Sequence, residues 1–263
     1  NGAEKKVQRL PANARMQYVS WSPDGSKAAF VNAVEAGLEL WVVDIEAATA
    51  RIYSAPAVNA AMSGSPYSWI GNDQILISMI PTGRGPAPQA PATPAGPIVQ
   101  ANEGKAAPVR TFQDLLTNAH DEALFEHFAT SQLMVVDLKQ GTRTALGQPG
   151  IFSDFNVSPD GKYVLVTTLQ KPFSYIVPYA RFPQTTAIWN MQGQSLKVVA
   201  QKPLMDKLPQ GFDAVATGPR SISWRADVPA TLYWVEAQDG GDPKKEAAVR
   251  DKMYSLEAPF SGQ

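Results

Sequence analysis

A turn motif that recurs along the chain constrains the fold more than any other feature of the sequence. Residues 21–25 (WSPDG) and 157–161 (VSPDG) are close copies, and residues 69–73 (WIGND) and 224–227 (WRAD) are altered ones. Proline presets the backbone of the second turn position, aspartate caps the turn, and glycine supplies the left-handed residue. In each copy a β-rich run follows the turn, which predicts a hairpin. Four such hairpins indicate structural repeats.

The runs that follow the first turn extend the hairpin into a meander. Residues 27–31, 38–44 and 51–53 are strand-like, and a unit of this kind has the roughly 40–45 residues of a propeller blade. The sequence therefore predicts an all-β fold, a β-propeller with about four consecutive four-stranded antiparallel blades. A β-sandwich is the alternative, although its Greek-key order need not give meanders. The predicted blades cover residues 17–54, 66–147, 152–200 and 220–257.

The second predicted blade carries an insertion at residues 81–130, between its second and third strands. Compared with the spacing in the first blade, it adds about 45 residues to one hairpin. Its first part is rich in proline, which favours an extended backbone, and residues 114–116 and 121–128 are predicted as short helices. The Pro-x-x-Pro steps from Pro88 to Pro97 fit a recognition ligand, but a stiff loop is favoured because no basic residues flank them.

Composition excludes several classes of function. The chain of 263 residues has 23 Lys and Arg against 24 Asp and Glu and no cysteine. No nucleic-acid partner is expected from this balance, and thiolate nucleophiles, disulfides and Cys-based metal sites are excluded. No apolar run approaches the ~18 residues of a membrane span, and no cofactor is expected. Because the chain begins with Asn1, a cleaved targeting segment fits, with a periplasmic or secreted location if the protein is bacterial.

Catalytic and metal-binding motifs are weak in this chain. Residues 193–197 (GQSLK) approach a nucleophile elbow but lack the closing glycine, so no catalytic triad is expected. His120 and His127 lie among acidic residues without the spacing of a zinc motif, which favours an exposed acidic helix and no metal site. Residues 83–86 (GRGP) do not predict a phosphate loop, because proline offers no backbone N–H to an anion.

Five side chains in predicted loops are candidates for binding a substrate. An arginine beside glycine or proline can bind a carboxylate with two parallel hydrogen bonds, although a surface or ion-paired role is the alternative. Aromatic residues between 173 and 182 can line a peptide cleft, and a packing role explains them equally well. The candidates are Arg181, Arg220, Arg84, Tyr175 and Tyr179.

Several long strings outside the turns carry a resemblance to a known family. The chain resembles bacterial and chloroplast glutamyl endopeptidases, a branch of the prolyl oligopeptidase family of serine peptidases, over nearly its whole length. The resemblance implies a seven- or eight-bladed propeller followed by a C-terminal α/β-hydrolase domain with the Ser, Asp and His residues. The strings that carry it are 96–100 (GPIVQ), 107–116 (APVRTFQDLL), 120–125 (HDEALF), 174–183 (SYIVPYARFP), 217–227 (TGPRSISWRAD), 230–237 (ATLYWVEA) and 239–243 (DGGDP).

The resemblance implies a substrate-gating and substrate-binding role for this chain. The partners would be a peptide, cleaved after glutamate or another acidic residue, and the hydrolase domain of the same protein. The chain ends near Pro259 and Phe260, before such a domain, so it is expected to be inactive alone and to associate through uncovered sheet faces. The alternatives are a non-enzymatic TolB-like scaffold for a protein or peptide and, with less support, a carbohydrate-active propeller.

Overall fold

Fourteen strands and one α-helix are assigned in a computed structural model that describes residues 4–62, 64–91, 112–206 and 213–261. The predicted β-propeller class is confirmed, because the strands form antiparallel meanders whose sheets pack face to face. The first half of the chain contains β1 (Met16–Trp21), β2 (Lys27–Val34), β3 (Gly37–Asp44), β4 (Thr49–Ile52), β5 (Tyr67–Ile70), β6 (Gln74–Met79), α1 (Ala119–Ala129) and β7 (Thr130–Asp137). The second half contains β8 (Arg143–Val157), β9 (Tyr163–Leu169), a 3-10 turn (Tyr179–Arg181), β10 (Gln184–Asn190), β11 (Ser195–Lys202), β12 (Arg220–Trp224), β13 (Thr231–Ala237) and β14 (Asp251–Glu257).

The strands are distributed over three sheets. The first repeat is a sheet of four strands in the order β1-β2-β3-β4, and the fourth repeat has the three strands β12-β13-β14 in the described residues. The second and third repeats share one sheet of seven strands, from β5 to β11 in chain order. The predicted boundary between these two repeats lies inside the single strand β8.

The repeated turn is held by a serine in addition to the residues that predicted it. In the first copy, the buried Ser22 hydroxyl donates to Asp24 Oδ1 (2.7 Å) and accepts from the backbone N–H of Lys27 (3.0 Å). Gly25 has a φ of 71°, the left-handed backbone that glycine adopts without strain. Ser158 makes the corresponding bonds, with Asp160 (2.7 Å) and with the N–H of Tyr163 (3.0 Å). Both copies are therefore the same local structure.

Apolar side chains from neighbouring sheets form the core. Strands buried on both faces, such as β2 and β6, pack on their neighbours and exclude water along most of their length. Burial of each fully enclosed aliphatic side chain contributes about 1.5–3 kcal/mol, so these clusters dominate the stability of the fold. Between the first and second repeats the cluster includes Ala29, Val31, Leu40, Val42, Ile75, Ile77 and Val136. Between the third and fourth it includes Leu165, Ile188, Trp224, Leu232, Leu256 and Phe260.

The two outer sheets leave apolar side chains exposed. On the first repeat, Val19 and Trp21 are 59% and 60% exposed, and on the fourth Met253 is 67% exposed. A depression of about 590 Å³ beside Met253 is also lined by Arg225, Tyr233, Tyr254 and Ser255. Association of the chain through these faces stays a prediction. Among the described residues, no helix is both long enough and apolar enough to span a membrane.

The insertion in the second repeat contains one of the two predicted helices. The helix expected at residues 121–128 is present as α1. The helix expected at residues 114–116 is not formed, and this expectation is wrong. Asp114 has a φ of 55°, and a left-handed residue cannot continue a right-handed helical turn. The prolines Pro94, Pro97 and Pro108 of this insertion, and the string at 96–100, lie outside the described residues.

The long connections lie at one end of the sheets and most of the short turns at the other, while the two-residue turn between β2 and β3 lies with the long connections. Successive connections of an antiparallel meander alternate between the two ends. The turns after β1 and β5 lie together, because the N–H of Asp24 donates to Asn72 Oδ1 (3.1 Å). The turns after β8 and β12 also lie together, because the N–H of Asp160 donates to the carbonyl of Pro229 (3.0 Å). We name this the turn end. The opposite end, the loop end, is where the connections 53–66, 80–118, 170–183, 203–219 and 238–250 begin and finish.

Candidate functional site

The loop end carries a compact layer formed by α1 and the loop that follows β9. Strand β8 sets their positions, because its residue Ile151 pairs with Thr130 of β7 on one side and with Leu169 of β9 on the other. Helix α1 ends just before Thr130, and the loop begins just after Leu169. The two segments are therefore brought side by side. We name α1 and residues 170–183 the cap.

Aromatic rings hold the two parts of the cap together. The ring of Phe125 on α1 lies 5.1 Å from Phe173 and 5.8 Å from Phe182, edge to face, and 6.3 Å from Tyr179. Phe182 is only 1% exposed. The rings rest on the sheet through the buried residues Ala129, Ile151 and Leu169. Phe173, Tyr179 and Phe182 thus contribute to packing within the cap, where each aromatic pair adds about 0.5–1.5 kcal/mol beyond its buried area.

Two polar contacts tie the exposed edge of the cap. The Tyr175 hydroxyl donates to Glu122 Oε2 (3.0 Å), and the Lys171 ammonium pairs with Glu126 Oε2 (2.8 Å). The hydrogen bond to Glu122 raises the pKa of Tyr175, and the contact with Glu126 raises the pKa of Lys171. Tyr175 therefore uses its hydroxyl inside the cap, and residue type alone does not identify Glu122 as its partner. Glu122 and Tyr175 lie 53 residues apart.

The acidic residues beside His120 serve the start of α1. Asn118 is the N-cap, and its side chain accepts from the N–H groups of His120 (2.8 Å) and Asp121 (3.0 Å). Asp121 accepts in turn from the hydroxyl and the N–H of Thr117, and these bonds lower the pKa of the Asp121 carboxyl. Among the described residues, no three side chains of His, Asp or Glu are grouped as a metal site would require.

Two of the candidate arginines lie against aromatic rings near the cap. Arg84 Nη1 donates to the carbonyl of His127 (3.4 Å), near the C-terminus of α1, and its guanidinium lies 5.6 Å from the Phe128 ring. Cations are favourable at a helix C-terminus because the exposed carbonyls carry partial negative charge. Arg181 ends the 3-10 turn and lies 5.0 Å from the ring of Phe112. Both arginines are half-buried.

Arg220 differs from the other two because its donors are incompletely paired. It was expected in a loop and is the first residue of β12. Its Nη2 pairs with Asp251, at the start of β14, while its Nε is buried without a hydrogen-bond partner among the described residues. A buried donor left unpaired costs about 1–3 kcal/mol. Among the five candidates, as far as the structure describes the chain, Arg220 is the one with a buried polar side-chain atom that lacks a hydrogen-bond partner.

Lys202 is a cation of the same region that the sequence analysis did not single out. It is the last residue of β11, and burial, followed by the charge of Arg220, lowers the pKa of its ammonium. A lysine that ends an alternating strand and precedes a long connection could have been noticed. Its proximity to Arg220, 18 residues later in the sequence, could not, because it depends on the packing of the third repeat against the fourth.

Comparison with known proteins gives two close relatives. Over 271 residues the chain is 39% identical to the "Probable glutamyl endopeptidase, chloroplastic" of Oryza sativa subsp. japonica, which covers 100% of this chain and 29% of that protein. Over 268 residues it is 38% identical to the protein of the same name from Arabidopsis thaliana, covering 99% of this chain and 28% of that one. The chain thus spans less than a third of the length of these relatives. No family model matches it.

A solved structure supports the fold independently. The acylaminoacyl peptidase of Pyrococcus horikoshii aligns with 97% of this chain and 33% of its own, with a TM-score of 0.50 and 10% sequence identity. At this identity the likeness concerns the fold alone. The curated relatives favour a peptidase propeller over the TolB-like scaffold. With 39% and 38% identity over its full length, the chain is homologous to part of proteins named as probable glutamyl endopeptidases, and its fold is that of a β-propeller portion.

Proposed function

We propose that this chain is the substrate-binding and substrate-gating propeller of a longer serine endopeptidase that cleaves peptides after glutamate or another acidic residue. The catalytic Ser, Asp and His would belong to an α/β-hydrolase domain outside this chain. The observation that carries the proposal is the 39% identity, over the whole chain, to a protein named as a glutamyl endopeptidase. The 263 residues alone are expected to be inactive.

The loop end supports the gating part of the proposal. Catalytic and binding residues in proteins are disproportionately found on loops that a rigid scaffold positions. Here the sheets are the scaffold, and the cap covers part of one end through contacts between α1 and residues 170–183. A layer of this kind can admit extended peptides and exclude folded proteins. Its exposed edge depends on the two side-chain contacts made by Tyr175 and Lys171.

The charges of the loop end support an acidic substrate. A carboxylate that enters a partly buried pocket needs a cationic partner, because its desolvation is otherwise costly. Arg84, Arg181 and Arg220 all lie at this end, and a guanidinium keeps its charge at any working pH. Arg220 is the favoured partner, because Arg84 and Arg181 already contact aromatic rings.

The test uses the full-length protein that contains this chain and two peptides that differ only in Glu or Gln before the cleaved bond. We expect a higher kcat/KM for the Glu peptide. In a second arm, the double variant Lys171→Met and Tyr175→Phe loosens the cap and should raise cleavage of a reduced, unfolded protein more than cleavage of the short peptide. Equal cleavage of the two peptides would contradict the acidic preference. A uniform change on both substrates would contradict gating by the cap.

A further inference from the structure

Arg220 and Asp251 form an ion pair that leaves one donor of the guanidinium unused. Asp251 contacts Nη2, whereas the buried Nε has no partner among the described residues. The Arg220 side chain is 25% exposed and that of Asp251 is 48% exposed. A carboxylate that binds a guanidinium side-on contacts Nε and Nη2 together. The observed geometry therefore holds only half of the bonds that a carboxylate can make with Arg220.

A second cation lies at the same end of the sheets. Val199 of β11 and Ile222 of β12 both pack against one apolar cluster, and β11 ends and β12 begins at the loop end. This brings the half-buried Lys202 close enough for the charge of Arg220 to act on it. Two positive side chains and one carboxylate thus lie in the same part of the loop end, where Arg220 and Asp251 are in contact. The balance of charge is positive, and a second carboxylate is favoured there.

The other arginine of this strand region provides an internal comparison. Arg225, at the turn end just after β12, pairs with Asp227 through both Nε (3.1 Å) and Nη2. Asp227 lies two residues away, and the pair is exposed. Arg225 is thus paired side-on by a local aspartate, whereas Arg220 is paired at one nitrogen by an aspartate 31 residues away. Of these two arginines, Arg220 is therefore the one whose hydrogen-bond donors are incompletely paired.

We propose that Arg220 and Lys202 form a binding site for the side-chain carboxylate of an acidic peptide, and that Asp251 occupies this site in the absence of the ligand. The ligand carboxylate displaces Asp251, binds Nε and Nη2 of Arg220 side-on, and gains the additional charge of Lys202. Asp251 acts as an internal competitor that keeps the cations from being left unpaired when no peptide is bound. The choice of an acidic peptide rests on the proposed function, whereas the cation pair itself does not.

Binding is measured with the 263-residue chain and a fluorescently labelled, N-acetylated and C-amidated hexapeptide that contains one Glu or, as its partner, one Gln. We expect the Glu peptide to bind about tenfold more tightly, because a paired charge in a partly buried site raises the affinity by roughly that factor. Lys202→Met and Arg220→Gln should each remove this preference. Asp251→Asn should strengthen binding of the Glu peptide by about tenfold, through loss of the competitor.

Matched controls separate the site from the general charge of the chain. Arg225→Gln and Lys162→Met remove the same charges from the turn end, where each residue pairs with a local aspartate, and should leave both affinities unchanged. Lys202→Arg keeps the charge and should retain the preference for the Glu peptide. A preference lost in Lys202→Met and kept in Lys202→Arg depends on the charge at this position. Circular dichroism checks the fold of each variant.

The outcomes distinguish this proposal from the proposed function. Equal affinity for the two peptides, or Asp251→Asn binding no more tightly than the parent chain, would overturn the carboxylate site. An equal loss in the turn-end controls would do the same. Binding that follows the expected pattern, with no cleavage after Glu by the full-length protein, would keep the site and overturn the peptidase proposal. Cleavage after Glu without binding by this chain would overturn the site alone.

Discussion

The turn end and the loop end are built by different physical means. At the turn end, the repeated bonds are local: Ser22 and Asp24 bind within five residues, and Ser158 and Asp160 repeat the pattern. At the loop end, the defining contacts join distant segments, such as Tyr175 with Glu122 across 53 residues. A local pattern can be copied in each repeat, because it needs only its own residues. A distant pattern arises once, where two particular connections meet.

This difference separates the requirements of the fold from those of binding. Copies of one turn return the chain into the sheets, and the two close copies place the same serine and aspartate bonds in the first and third repeats. The connections at the other end differ in length and composition, so they supply the irregular surface on which a peptide can be recognised. The comparison predicts that substitutions at the two ends differ in kind as well as in size.

The largest effect is expected where the loop end is packed as tightly as a core. Phe182→Ala should lower the free energy of unfolding by about 3–5 kcal/mol, because the ring is buried and contacts both Phe125 and Phe173. Chemical denaturation of the chain measures it. Phe128→Ala, whose ring is 47% exposed, is the control and should cost less than about 1 kcal/mol. Equal small losses in the two variants would show that the cap adheres loosely and is not part of the folded unit.

A smaller effect separates two glycines of the turn end. Gly25 and Gly193 have similar φ values, 71° and 77°, but a Cβ on Gly25 would meet nothing within 4 Å, whereas one on Gly193 would lie 2.1 Å from the backbone nitrogen of Gly147. Both alanine variants lose the left-handed preference of glycine, at about 1–2 kcal/mol. Gly193→Ala should cost about 1–3 kcal/mol more, because β8 must move away.

The pair of variants tests whether the turns act only locally. Thermal unfolding of Gly25→Ala and Gly193→Ala under one set of conditions gives the difference directly. If the two variants unfold at the same temperature, the turn after β10 does not press on β8. The turn end would then be independent from one repeat to the next.

The smallest effect concerns the pH dependence of one turn. The N–H of Ser26 and the hydroxyl of Ser22 hold the pKa of Asp24 at about 2, below its ordinary 3.8. A depressed pKa stabilises the folded state above the ordinary value, and this contribution is lost as the pH falls through about 2. Asp24→Asn should therefore unfold more easily at neutral pH and show a shallower decline in stability between about pH 4 and pH 2. Urea titrations across this range measure both, and parallel profiles would argue that the Asp24 bonds are the same in the unfolded chain.

The strands and turns could be predicted because their causes are local. The pattern of residues 21–25 contains its own proline, aspartate and glycine, and the β-rich runs that become β2 and β13 follow shortly after such turns. The part of Ser22 in the turn was missed, although its hydroxyl makes two of the bonds there. The helix expected at residues 114–116 is absent for a local reason too: aspartate can adopt the left-handed backbone, but it does so only occasionally, and Asp114 is such a case.

For the candidate site, the sequence indicated which arginines lie in or near connections, but it did not indicate their partners, which come from distant parts of the chain. Glycine or proline adjoins Arg84 and Arg220, and Pro183 lies two residues after Arg181, which indicated connections; all three residues lie at one end of the sheets. Which arginine keeps an unpaired donor depends on Asp251 and Lys202, and these reach Arg220 only after three strands of two repeats have paired and packed. Residue type alone cannot rank three arginines whose partners come from elsewhere in the chain.

Strand β8 has a consequence for how the molecule opens. Residues 53–66 connect the first repeat to the second, so that seam can part by the bending of a loop. The middle seam has no such hinge, because Ile151 is hydrogen-bonded to β7 and β9 at once and parting would break ladder bonds on both sides. Amide protons around Ile151 should therefore exchange with solvent only in the slowest, cooperative opening. The second and third repeats are therefore expected to move as one body, and any relative motion of the sheets is confined to the other seams.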